Sequence, residues 1–182
     1  MTNSGHLHLD GLKVYPALPE HVPALLHMKW QLQVAEKSEL AFRATEADWL
    51  RDGFGENARF TAFIAEWSGA LIGLVTCSER YYTGWAGSTM YIQDMFVAPE
   101  YRRRGIGKKL LARVAVHALE RNCPVIELAV RKDNSARRLY ETSGFSRIKE
   151  SITYVAGTPA MMALSSTFPE IAQLQASTIG IR

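Results

Sequence analysis

Cysteine is scarce in this 182-residue chain. Cys77 and Cys123 are too few and too scattered for a disulfide framework or a zinc site. Both stand in apolar or strand-like surroundings, which predicts buried packing residues rather than reactive thiols. Long apolar runs are also missing, and none approaches the roughly 18 residues that a membrane-spanning helix needs. Met1 to Asp10 is polar and lacks a basic-then-apolar signal pattern, so the expected location is the cytoplasm. An excess of one charge is absent too: the net charge of +3 gives no argument from composition for a nucleic-acid partner. Of the histidines, His6, His8, His21 and His27 are N-terminal and His117 stands alone on a later helix. No two have metal-ligand spacing, so no metal is expected. Neither a Ser/His/Asp nor a Cys/His nucleophile system is evident.

What is present is a hydrophobic fraction of 47%, in a chain long enough for one domain with a sizeable core. Residues 1–10 read as a loose extension, and Leu12 to Ala17 as a short strand stopped by prolines. Apolar residues at Val22, Leu25, Leu26, Trp30 and Val34 predict a helix over Glu20 to Glu36. Thr45 followed by Asp48 resembles a capping box and starts a helix ending near Gly53. Two β-rich runs, Phe60 to Glu66 and Ala70 to Tyr82, flank a short glycine-containing turn and predict a hairpin. Thr89 to Val97 is a further strand, ended by Pro99. Ile106, Leu110, Leu111, Val114, Ala115, Ala118 and Leu119 form the apolar stripe of a helix over Gly107 to Arg121. A strand over Pro124 to Val130, a helix over Asn134 to Ser143 capped by Gly144, and a strand over Ser151 to Val155 follow. A helical segment begins at Thr158 with Pro159 in its first turn. This order predicts a mixed α/β layer, a central, mostly antiparallel sheet flanked by helices.

The sharpest chemical signal is Arg102-Arg103-Arg104-Gly105-Ile106-Gly107-Lys108, between a strand and an amphipathic helix. Glycines let consecutive N–H groups converge on one anion, and the helix that follows adds its N-terminal partial charge. A pyrophosphate suits the arrangement. The GxxxxGK[ST] spacing of a P-loop is missing. Leu110 stands where a dinucleotide GxGxxG would have its third glycine. A solvated basic turn without ligand is the bland reading, and a nucleic-acid patch lacks aromatic stacking partners nearby in the sequence.

These residues resemble the GNAT superfamily of N-acetyltransferases. Arg102-x-x-Gly105-x-Gly107 matches its [Q/R]-x-x-G-x-[G/A] signature in full. The strand Tyr91 to Val97 with Ala98 to Tyr101 is similar to the family's cofactor strand. Asn134-Ser135-Ala136 and Leu139-Tyr140-Glu141-x-x-Gly144-Phe145 resemble its second cofactor segment. The match runs over roughly residues 10–156, and a single GNAT domain is expected over residues 11–157, with a C-terminal helical extension over 158–182. Within the superfamily the chain looks closest to the diamine (spermidine/spermine) and thialysine branch. The segment Leu50 to Glu56 (LRDGFGE) and the region Tyr81 to Trp85 carry that likeness.

The resemblance implies acetyl-CoA as cofactor. Arg102, Arg103, Arg104, Gly105, Ile106, Gly107 and Lys108 would hold its pyrophosphate, and the backbone of Met95, Phe96 and Val97 its pantetheine arm. A bulge in that strand would expose an N–H to polarise the thioester carbonyl. Asn134, with Ala136, would meet the pantetheine or sulfur end, and Tyr140 would protonate the departing thiolate. Tyr140 also reads as a half-buried packing residue on a short helix. An alkyl ammonium must lose a proton before it attacks. Relatives tend to have Glu-Asp where this chain has Gln93-Asp94, and Gln93 accepts no proton, which leaves Asp94 acting through water, or a water chain to bulk. Glu36, Asp52, Gln93 and Asp94 are the expected amine-facing residues; the bland reading of Glu36 and Asp52 is a solvated surface.

The function expected is therefore acetyl transfer to a primary amine of a small molecule by direct attack. The alternatives are acetylation of a protein N-terminus or lysine, and a non-catalytic acyl-CoA-binding module. The expected partners are the amine and, by resemblance, a second copy in a homodimer, with no nucleic acid and no membrane.

Overall fold

The computed structural model describes residues 10–38, 42–149, 153 and 156–165. The chain forms two compact units, Met1–Phe145 and Ser146–Arg182. The first contains a five-stranded sheet in the order β1 (Lys13–Pro16), β2 (Thr61–Trp67), β3 (Ala70–Tyr82), β4 (Gly87–Val97), β5 (Ile126–Leu128). All neighbouring pairs are antiparallel except β4–β5, which is parallel. Helices α1 (Val22–Ala35), α2 (Glu46–Phe54), α3 (Ile106–Glu120) and α4 (Arg137–Thr142) complete this unit. Helix α5 (Thr158–Ser165) lies in the second. The expected strand over Ser151 to Val155 falls almost wholly outside the described residues.

The sheet is buried on both faces, so β2 reads as a continuous apolar run rather than an alternating one. Phe63, Val75, Cys77 and Met90 pack with Leu110, Leu111 and Val114 of α3 on one face. Ala62, Ile64, Leu74 and Phe96 pack with Val22, Leu25 and Met28 of α1 and Trp49 of α2 on the other. Each fully buried large side chain contributes about 1.5–3 kcal/mol, so this three-layer arrangement dominates stability. At Ser68-Gly69, between β2 and β3, both residues have positive φ, 50° and 78°. That geometry suits the right-handed twist of a tight hairpin. Thr45 caps α2 as the sequence predicts: its hydroxyl accepts from Asp48 N–H while Asp48 accepts from Thr45 N–H.

Three expectations are corrected. Trp30 and Val34 do not join the core stripe of α1; both are exposed, and the buried line runs through Val22, Leu25 and Met28 instead. Leu119 is 74% exposed, because Ala118 takes the inward position and the next residue lies about 100° around the helix. Strand β5 has three residues rather than seven: its pairing with β4 ends at Ile92↔Leu128, where the register of β4 with β3 also shifts.

Candidate functional site

The turning point is a bulge in β4. Thr76 faces Asp94 but Cys77 faces Ile92, so Gln93 is the extra residue. The bulge therefore lies two residues before Met95, not within Met95–Val97. Past it, Ala98 N–H donates to Ile72 C=O at 3.0 Å, which fixes the alternation of the ladder: Asp94 and Phe96 address β3. The backbone polar groups of Met95 and Val97 are left facing away from β3, where β5 has ended. Strands β4 and β5 thus open into a cleft of about 690 Å³.

One wall of the cleft is the loop over residues 102–108. After the turn Pro99–Tyr101, Arg102 Nε reaches back and donates to Val97 C=O at 2.8 Å. Arg103 and Gly105 both have positive φ, 64° and 84°, so the chain doubles back just before α3. Lys109 N–H makes a helical bond to Gly105 C=O, leaving the N–H groups of Ile106, Gly107 and Lys108 ahead of it. No side chain caps this end and its first turn contains no acidic residue. An uncapped helix N-terminus ringed by arginine and lysine attracts a phosphate. Gly107 is also a close approach: a Cβ there would stand 2.8 Å from Leu139 Cδ2, so the glycine lets α4 close over the start of α3.

Helix α4 supplies the opposite wall. Asn134 is committed to the turn before it, its Oδ1 accepting from Ala136 N–H at 2.8 Å. That Asx turn delays the helix to Arg137, three residues later than the sequence predicts. Tyr140 packs edge-on against Phe145, with ring centroids 5.8 Å apart, and lines the cleft. Burial first, and then the charge of Glu36, push its phenol up to about 12, so it is a protonated donor at neutral pH.

The cleft brings together most of the residues singled out from sequence. Glu36, Gln93, Asp94, Met95, Phe96, Val97, Arg102, Arg103, Gly105, Ile106, Gly107, Lys108, Asn134, Ala136 and Tyr140 all line it. Two do not. Arg104 is outside the lining, its guanidinium 5.8 Å from the Tyr101 ring centroid. Asp52 sits on α2, held by Arg51 at 2.5 Å and flanked by Arg59 at 3.7 Å; Arg51, its neighbour in the LRDGFGE segment, is the sequence signal that favours the solvated-surface reading.

One residue was not singled out from the sequence. Lys29 Nζ donates to Asp94 Oδ1 at 2.5 Å, while Thr76 Oγ1 donates to Asp94 Oδ2 at 3.1 Å. Lys29 is 65 positions from Asp94, but it follows Val22 by seven and Leu25 by four residues, so it stands on the inward face of α1 with its side chain 19% exposed, and a lysine in that apolar stripe is the signal that marks it. Cys77 and Cys123 are free and buried, as expected; burial pushes the Cys77 thiol up to about 12. Among the described residues no cluster of His, Cys, Asp or Glu could hold a metal, and no helix is long and apolar enough to cross a membrane.

A free strand edge, an anion-seeking helix end and a protonated phenol along one cleft fit an extended acyl-CoA. Comparison with known proteins agrees. Residues 22–145 match the family model for the acetyltransferase (GNAT) family. The thialysine N-epsilon-acetyltransferase of Sus scrofa is 35% identical over 137 residues, covering 70% of this chain and 79% of that protein. The spermidine/spermine N(1)-acetyltransferase-like protein 1 of Homo sapiens is 31% identical over 141 residues, covering 74% of this chain but 20% of that protein. An integron cassette protein from the mobile metagenome of V. cholerae superposes with a TM-score of 0.70 at 22% identity, covering 85% of this chain and 97% of that one. The chain belongs to the GNAT family of acetyltransferases, enzymes that take their acetyl group from acetyl-CoA.

Proposed function

We propose that the protein acetylates a primary amine of a small molecule, of the polyamine, diamine or thialysine kind, by direct attack of the amine in a ternary complex. The observation that carries this reading is the placement of Tyr140 in the same cleft as the open edge of β4 and the uncapped end of α3. Relatives named for thialysine and for spermidine/spermine acetylation support the acceptor class.

Bound acetyl-CoA would supply an activated acyl group, its sulfur leaving as a thiolate that takes up the second proton shed by the newly formed amide nitrogen. The N–H groups at the start of α3, with Arg102, Arg103 and Lys108, hold phosphate; the backbone of Met95 and the N–H of Val97, whose carbonyl accepts from Arg102, pair with the amide-bearing arm. Tyr140 keeps its proton at neutral pH and donates to the developing thiolate. A phenol near 12 is a weaker acid than a thiol near 8.5, so its part is a strong hydrogen bond and not a free transfer of the proton. The attacking ammonium releases its proton toward water and the carboxylate of Asp94, which shares its charge with Lys29. Direct attack accords with the lining of the cleft, which among the described residues includes neither cysteine nor histidine.

The test is release of free thiol from acetyl-CoA in the presence of spermidine, putrescine, thialysine, lysine, an aminoglycoside or a short peptide, with Tyr140→Phe beside the wild type. Turnover on a small amine, slowed at least about a hundredfold in the variant, supports the proposal. Turnover on the peptide alone would replace it with protein acetylation. Tight binding of acetyl-CoA with no turnover on any amine would leave only the non-catalytic reading.

A further inference from the structure

On the other side of the β4 bulge lies a second, smaller cavity of about 160 Å³, lined by Lys29, Trp49, Phe60, Thr76, Gln93 and Asp94. Its walls come from four elements and from the segment just before β2. Trp49 and Phe60 meet edge to face with ring centroids 5.1 Å apart, and a Cβ at Gly53 would lie 2.7 Å from Phe60 Cζ, so the glycine of the DGFGE segment lets Phe60 take that place. Gln93 and Asp94 line both cavities, so the two approach each other at the bulge. An amine entering it would have aromatic rings for its body and the bulge for its nitrogen.

The charge of this cavity is unusual for a site meant to take a cation. Among the described residues its charged lining groups are Lys29 and Asp94, and they offset each other across 2.5 Å with side chains 19% and 15% exposed. Lys29 is further fixed by Gln33: with that amide oriented to satisfy its neighbours, its oxygen accepts from Lys29 Nζ at 2.8 Å while its nitrogen bonds Ser38. Gln93, beside Asp94, is neutral and donates to Ser78 Oγ at 3.3 Å. Among the described lining residues of this cavity a polycationic amine therefore meets no uncompensated carboxylate, and it faces the ammonium of Lys29.

Building on the proposed amine acetylation, the geometry points to Lys29 as the specificity-determining residue of the acceptor cavity: together with neutral Gln93 it cancels the Asp94 charge and selects amines of net charge +1, body against Trp49 and Phe60, over di- and polycations. The selection is electrostatic and lies in binding, so it is separable from turnover.

The experiment measures binding of lysine and phenethylamine (net +1), putrescine and spermidine by calorimetry to the protein saturated with CoA, alongside thiol release with acetyl-CoA. It compares the wild type with Lys29→Met, Lys29→Arg and Gln93→Glu at one fixed ionic strength. The wild type is expected to bind the monocations about tenfold or more tighter than spermidine. Lys29→Met and Gln93→Glu each leave one carboxylate charge uncancelled and are expected to move the ratio about tenfold toward spermidine; Lys29→Arg keeps the wild-type order. Gln93→Glu changes an exposed position, so it answers even if Lys29→Met fails to fold. A wild type that favours spermidine, a ratio unmoved by both charge-changing variants, or no binding of any amine overturns the inference. Ordered binding without thiol release would sustain it while the proposed catalysis fails.

Discussion

Gly107 and Leu139 are in contact across the mouth of the 102–108 loop, so close that a single methyl group on Gly107 would stand 2.8 Å from Leu139 Cδ2. Gly107→Ala therefore tests how the loop is shaped without touching its charge. Two effects oppose each other in stability. Alanine in a helix gains about 1 kcal/mol over glycine, while Leu139, a movable side chain, must shift. The melting temperature is expected to change by less than about 4 °C. The displaced Leu139 neighbours Tyr140 and α4 covers the loop, so KM for acetyl-CoA is expected to rise about tenfold, read by initial rates with donor as the varied substrate.

Tyr140→Phe removes one hydroxyl and keeps the ring against Phe145. The expected loss is about a hundredfold in kcat with KM for acetyl-CoA nearly unchanged, because the hydrogen bond forms as the thiolate develops. The pH profile adds a sign. Burial and the charge of Glu36 move the phenol upward to about 12, so deprotonation of Tyr140 does not limit the rate below pH 10. Wild-type kcat is expected to hold or climb from pH 7 to 10. A fall with midpoint between 8 and 9.5 would show that another acid, not this phenol, serves the leaving group.

Cys77 predicts alkaline destabilisation. Its thiol ionises near 9.0 when exposed and near 12 when folded, because burial disfavours the thiolate. Stability tied to this group is complete below pH 9 and is lost as pH rises toward 12, since only the unfolded chain releases the proton readily. The loss is about 3 kcal/mol at pH 11. Denaturant unfolding of wild type and Cys77→Ala at pH 8 and pH 11 isolates it: the gap between the two proteins is expected to narrow or reverse by about that amount. Tyr15, hydrogen-bonded to Glu66 and also raised to about 12, contributes equally to both and drops out.

How much of this was legible in the sequence depends on how local the cause is. The Thr45–Asp48 cap is a three-residue relationship, and the sequence showed it. The loop Arg102 to Lys108 likewise carries its turn and its charge within seven residues. The bulge at Gln93 depends on register with β3, and its consequence, the three-residue β5, depends on where a third strand runs out. Neither leaves a mark in composition or periodicity. Lys29 is a mixed case: its place in the apolar stripe of Val22 and Leu25 marks it as an inward lysine, but its partner is known only from α1 packing beside Asp94. Asp52 fails in the opposite direction, a carboxylate in a suggestive segment that Arg51 and Arg59 claim locally.

Arg102 gives a last prediction, because its guanidinium does two jobs that separate by substitution. Its Nε donates to Val97 C=O at 2.8 Å, tying the loop to the end of β4, and its charge stands by the helix end proposed to take phosphate. Arg102→Lys keeps the charge but has no Nε–H along its stem to bond the carbonyl. Arg102→Ala removes both. If charge dominates, Lys retains donor affinity and Ala loses it with a flatter dependence on salt; if the tether dominates, the two variants weaken donor binding alike. Phosphate contacts from exposed side chains are screened by salt, whereas the tether bonds a partly buried carbonyl. The expected order is therefore a fivefold or so rise in KM for acetyl-CoA in Lys and about twentyfold in Ala, the two converging as salt is raised from 50 to 500 mM.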